Sequence, residues 1–122
     1  MSMDHEAMGG ALVRGRMALR LETRGRRTGV GRTVVVGCLE ELDGSLLVAA
    51  TDPSAHWALN LLAEPLCHGT LGQERRAYRA EVLEGSDRAT AISGLILRYG
   101  TPSEGLGRGP AFRLVPLPPL TV

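Results

Sequence analysis

The stretch from Met17 to Leu39, MALRLETRGRRTGVGRTVVVGCL, decides the fold. Met17, Leu19 and Leu21 alternate with Ala18, Arg20 and Glu22, the period-two pattern of a half-buried strand. Thr23 to Gly31 follows as a turn with three glycines. Arg32 to Leu39 is β-branched and apolar and reads as a second strand, buried on both faces. Two strands joined by so short a turn pair antiparallel, which argues against a doubly wound parallel sheet.

The rest of the chain extends this pattern. Asp43-Gly44 is a hairpin signal, and Ser45 to Thr51 reads as a third strand. Asp52-Pro53-Ser54 has the form of a helix start, with Asp52 as cap and Pro53 at the first position, and Pro65 stops that helix after Ala63. Trp57, Leu61 and Leu62 share one of its faces. Leu66 to Leu71 and Glu74 to Leu83 form a hairpin around Gly72-Gln73. Ser86 opens a second helix that carries Ala89, Ile92, Ile96 and Tyr99 on one stripe and stops at Gly100. Thr101 to Pro110 reads as a Gly-rich loop, and Ala111 to Val115 as a last strand. The expected fold is mainly β: a six-stranded antiparallel barrel with two short helices. Residues 1–15 read as a flexible tail with at most one weak helical turn, and 16–122 as one domain.

Composition narrows the function. With 3 % aromatic residues, the core is built from Leu, Val, Ile and Ala. Net charge is +1, so bulk electrostatics do not point to nucleic acid, and no aromatic residues stand near the basic turn for stacking on bases. Cys38 and Cys67 form no C-x-x-C pair. Cys67 and His68 point to opposite faces of one strand, which leaves no metal site. The longest strongly apolar run, Leu46 to Ala50, is too short for a transmembrane helix or an ordinary signal peptide. The expectation is a cytoplasmic, reduced protein.

The charge that is clustered carries the chemistry. All 14 basic residues are Arg, and Arg24, Arg26, Arg27 and Arg32 crowd the glycine turn. Consecutive backbone N–H groups in such a turn make an anion-binding concavity. Arg forks beside it grip phosphate oxygens in pairs, and the Thr28 hydroxyl adds a further donor.

Two motifs then carry a resemblance. The turn Thr23 to Arg32 matches T-x-G-R-[KR]-[ST]-G-x-x-R, and Trp57 to Pro65 matches W-x-x-N-L-x-A-x-P. Together, in this order, they resemble the deazaflavin-dependent nitroreductases, split β-barrel proteins related to the flavin mononucleotide-binding oxidoreductases. The likeness covers about residues 17–117, including the closing run Pro110 to Pro116. It implies coenzyme F420 as cofactor, with FMN as the alternative. It also implies hydride transfer to a small-molecule electron acceptor: a quinone, an activated alkene or a nitro compound.

By the same resemblance, Arg26, Arg27, Thr28 and Arg32 meet the cofactor phosphate and the start of its tail. Val34 to Val36, with Ala49, Ala50 and Thr51, lie against the ring. His56 and Trp57 border the ring pocket, and Asn60 braces the helix start. The chain departs from the family pattern in a shortened 51–57 segment, with Asp52 where a basic residue is common. No acid, base or nucleophile stands out as catalytic; His56, Trp57 and Tyr99 are the pocket candidates. A non-catalytic barrel that carries a flavin-like cofactor or an apolar ligand is the alternative function. Pairing of two copies across a sheet face is the expected assembly.

Overall fold

A computed structural model gives the fold. It describes residues 5–118, and of 5–9 and 101–104 the backbone alone. The first four positions of the expected tail, and Pro119 to Val122, lie outside the described residues. The elements in chain order are α1 (His5–Arg14), β1 (Leu19–Arg24), β2 (Gly31–Val36), β3 (Leu39–Glu40), β4 (Leu46–Ala49), α2 (His56–Ala63), β5 (Leu66–Leu71), β6 (Glu74–Val82), α3 (Gly85–Tyr99), a 3-10 segment (Thr101–Arg108) and β7 (Ala111–Pro116).

All strands join one sheet in the order β2-β1-β5-β6-β7-β4-β3, and every neighbouring pair is antiparallel. Its two edge strands, β2 and β3, are consecutive in the chain and separated only by Gly37 and Cys38. Three peptide steps span at most about 11 Å. A seven-stranded sheet whose edges are tied that closely has to curl until they meet. This tether makes the sheet a split barrel, and the mainly antiparallel β class expected from the sequence stands.

The details differ from expectation in four places. The run Arg32 to Leu39 is two strands, not one, so the sheet has seven strands. The break falls at Gly37 because the Tyr99 ring lies against it; a Cβ there would sit 2.9 Å from Tyr99 Cε2. Nor is that run buried on both faces. β2 is an edge strand with Arg32, Thr33 and Val35 exposed, and the doubly buried strand is β4. Leu46 and Val48 enter the barrel interior with Leu19, Leu21, Leu61 and Phe112. Leu47 and Ala49 face outward against Ala91, Leu95 and Leu106.

Third, α1 runs through most of the segment read as a tail, and α3 is one of three α-helices, not two. Gly9 and Gly10 at its centre lower the helix propensity of α1. It is held by docking: Val13 is buried, and its carbonyl accepts the Gly72 N–H at 2.8 Å. Such tertiary contact is what stabilises short helices in proteins. Fourth, α2 begins at His56, after Ala55, and Asp52 does not cap it. The Asp52 carboxylate instead closes a local turn, accepting the Ser54 N–H and Oγ–H at 2.8 Å each, and these bonds hold its pKa below the usual carboxylate value. α3 likewise has no side-chain cap from Ser86, and its buried face centres on Ala91 and Leu95, with Ala89 exposed.

Cys38 and Cys67 are buried free thiols. Desolvation pushes them up to about 11 and about 12, so both stay protonated at neutral pH and serve as packing groups. No helix among the described residues is long and apolar enough to cross a membrane.

Candidate cofactor site

The arginine turn between β1 and β2 is closed by its own backbone. Gly25 N–H donates to Val30 O and Gly29 N–H to Gly25 O, both at 2.8 Å. Gly29 adopts φ +71°, a conformation costly for other residues. Thr28 Oγ1 accepts the Val30 N–H at 3.2 Å, and its hydroxyl keeps a proton with which to donate to a ligand.

Asn60 ties this turn to α2. It sits on the helix with 3 % of its surface exposed. Its Oδ1 accepts both the Arg26 N–H at 3.2 Å and Arg26 Nη1 at 2.9 Å, and its Nδ2 donates to Thr23 Oγ1 at 3.1 Å. Asn60 therefore braces the turn, not the start of its own helix. Arg26 Nη2 also lies 3.4 Å from His56 Nδ1. Arg26 is thus largely engaged within the protein, which leaves Arg27 and Arg32 as the cleft-lining cations with no side-chain hydrogen bond to the described residues.

The result is a cleft of about 600 Å³ lined by Thr23, Gly25, Arg26, Arg27, Thr28, Arg32, Thr33, Val34, His56, Trp57 and Asn60. No carboxylate lines it. Among the described residues the ion pairs are Arg16 with Glu40, Arg75 with Glu22, and Arg113 with Glu41; none involves the turn. A carboxylate-free concavity with uncompensated guanidinium groups is suited to an anion such as a phosphate. Trp57 serves two ends. Its ring packs on Phe112 with centroids 6.0 Å apart at 56°, while its exposed side walls the cleft.

A second groove, about 360 Å³, is formed where β2 ends. It is lined by Leu12, Met17, Ala18, Val35, Val36, Gly37, Ala49, Thr51, Leu95, Tyr99 and Leu106. Only Thr51 and Tyr99 bring side-chain polar atoms to it. Val34 in the cleft and Val36 in the groove are two residues apart on β2, about 7 Å along the strand.

The residues singled out from the sequence fall into these two cavities. Arg26, Arg27, Thr28, Arg32, Val34, His56, Trp57 and Asn60 meet in the cleft; Val36, Ala49, Thr51 and Tyr99 meet in the groove. Ala50, 1 % exposed, lies in the barrel core and reaches neither. Asp52 lines neither cavity. Sequence reading missed the groove's outer wall, Leu12 and Leu106. Leu12 stood in the segment read as a tail and Leu106 in one read as a loop, so no periodicity pointed to them. Among the described residues no cluster of His, Cys, Asp or Glu could hold a metal.

The family model described as F420H(2)-dependent quinone reductase matches residues 1–99. No curated protein matches the chain. Among solved structures, an F420-H2 dependent reductase (FDR-A) superposes with TM-score 0.69 at 22 % identity, covering 81 % of this chain and 94 % of that one. A protein solved as a domain-swapped dimer gives TM-score 0.69 at 23 % identity, covering 89 % and 94 %. HutZ, the heme storage protein from Vibrio cholerae, gives TM-score 0.69 at 20 % identity, covering 98 % and 95 %. At these identities the three show a shared fold, and the family match carries the chemistry. The chain belongs to the F420H(2)-dependent quinone reductase family, which makes it an oxidoreductase with coenzyme F420 as cofactor.

Proposed function

We propose that this chain passes a hydride from reduced F420 to a small electron-poor acceptor, a quinone first, with activated alkenes and nitro compounds as slower acceptors. The observation that carries the reading is the pairing of two cavities on β2: a carboxylate-free arginine cleft at Arg32 to Val34 and an apolar groove at Val35 and Val36. Bound in its reduced form, F420 supplies the hydride. Arg27, Arg32 and the Thr28 hydroxyl hold its phosphate, with Arg26 set in place by Asn60. The groove takes the flat ring against Val36, Ala49 and Thr51, and its apolar walls exclude water.

Such a reaction asks the protein for position, not for a nucleophile. The groove agrees with that demand: its only titratable side chain is Tyr99, whose phenol pKa burial raises. Water protonates the acceptor. The carrier alternative yields to the family assignment, and FMN finds less support than F420. The same reading keeps the protein in the cytoplasm and pairs two copies across a sheet face; a single-chain mass in solution would remove the pairing.

The test is an anaerobic assay of F420H2 oxidation, followed by the return of oxidised F420 absorbance. A soluble quinone should give saturable turnover at a rate above that of a nitroaromatic. No turnover above the protein-free control with any of the three acceptor classes would remove the proposed reaction.

A further inference from the structure

Tyr99 occupies an unusual position in the sheet. The β1–β2 ladder runs from Arg24↔Gly31 to Leu19↔Val36 and stops there. Continued by two residues, the same register would place Met17 opposite Cys38. Instead the Tyr99 hydroxyl stands between them. It accepts the Cys38 N–H at 2.9 Å and lies 2.8 Å from Met17 O and 3.1 Å from Cys38 O. The neighbouring side chain repeats the grip: Arg98 Nη2 donates to Arg16 O at 2.7 Å. The last turn of α3 therefore clasps the backbone at both sides of the point where the ladder parts. Met17 and Gly37, on those two sides, both line the groove, and Gly37 lies against the Tyr99 ring.

We propose that Tyr99 is a positioning residue that holds apart the segment before β1 and the segment after β2 and so keeps the ring groove open, and that it does not donate the proton to the acceptor. A phenol has one proton, and two backbone carbonyls already compete for it, with Met17 O nearer. Its oxygen is held by the Cys38 N–H. Giving the proton to an acceptor would break the contact that defines the groove. This inference rests on the proposed reading of the groove as the ring site.

The experiment uses the full chain with Tyr99→Phe, which keeps the ring and removes the hydroxyl, and with 3,5-difluorotyrosine placed at position 99, which keeps the hydroxyl and makes it more acidic. Tyr99→Phe should weaken F420 binding about ten-fold, with kcat at saturating F420H2 within about three-fold of the parent and its pH profile unshifted. Exchange of the Cys38 amide proton should quicken. The difluorotyrosine protein should keep parent affinity while its phenol is protonated, lose affinity at the lower pH where that phenol ionises and can no longer donate to Met17 O, and keep the parent pH profile of kcat at saturating F420H2.

A proton donor behaves otherwise. Tyr99→Phe would lower kcat by about a hundred-fold or more, and the alkaline limb of kcat at saturating F420H2 would vanish, or move to lower pH in the fluorinated protein; either result overturns the proposal. Unchanged F420 affinity in Tyr99→Phe overturns it as well. Should Tyr99→Phe fail to fold, the fluorinated protein decides by its pH profile. Affinity and amide exchange need no turnover, so they test Tyr99 even where the proposed acceptors fail.

Discussion

Replacing Arg27 or Arg32 by Ala should weaken F420 binding by roughly ten- to a hundred-fold while leaving the saturated rate almost unchanged. The size follows from one charged hydrogen-bonding group, about 1.5–3 kcal/mol. The selectivity for binding over rate follows from position. Both residues line the cleft, and neither lines the groove proposed for the reacting ring. A contact made equally in ground and transition states changes affinity alone. Arg27→Lys should fall between, because an ammonium keeps the charge and loses the fork. Thermal stability should hold or rise: both side chains are exposed, neither is ion-paired, and removing one cation relieves repulsion within the turn. Fluorescence titration and thermal melting check the two halves separately. Unchanged affinity with a large stability loss would make the arginines structural and move the cofactor site elsewhere.

Asn60→Leu should unfold the protein more readily and loosen the cofactor at once. Leucine matches asparagine roughly in size but satisfies none of its three hydrogen bonds. Thr23 Oγ1 then sits buried without its donor, and Arg26 loses the acceptor for its N–H and for Nη1. Unpaired buried polar groups cost about 1–3 kcal/mol each, so the expected loss is about 2–4 kcal/mol. For a domain of this size that lowers Tm by about 3–5 °C per kcal/mol. Asn60→Asp separates the two effects. Its carboxylate still accepts from Arg26, and the Thr23 hydroxyl can turn to donate to it, so stability should stay near that of the parent. It also places an anion in the cleft. A repulsion of roughly 1.4 kcal/mol against a bound phosphate weakens F420 about ten-fold. Parent-like F420 affinity in Asn60→Asp, at parent-like Tm, would contradict a phosphate in this cleft.

Much of this was legible in the sequence, and what was not has a common cause. Gly44, at φ +90°, and Gly72, at φ +63°, stand where their hairpins were read, because local turn chemistry needs no partner. The turn and the Trp57–Asn60 helix were also read as one site, and the cleft joins them. Apart from Asp52, whose carboxylate is taken by Ser54 two residues on, the misreadings depend on residues far away in the chain. Gly37 breaks a β-branched run because of Tyr99, 62 positions on. Helix α1 exists because Val13 docks on the turn at Gly72. Asn60 looks like a helix residue with a local task, while its partners are Thr23 and Arg26 on another element. Even the strand buried on both faces was misplaced for this reason. β2 carries three valines and β4 is wholly apolar, but the outward face of β4 is covered by Ala91, Leu95 and Leu106, whereas Val35 on β2 is left exposed.

The central claim is that the arginine cleft binds F420 through its phosphate. It is tested most directly by titrating the parent chain with F420 and with the same deazaflavin chromophore lacking the phosphate and tail, then repeating both titrations on Arg27→Ala and Arg32→Ala. The account predicts that the parent binds F420 at least about ten-fold more tightly than the bare chromophore, and that each substitution narrows the gap by weakening F420 alone. Equal affinity of the parent for the two ligands would contradict it.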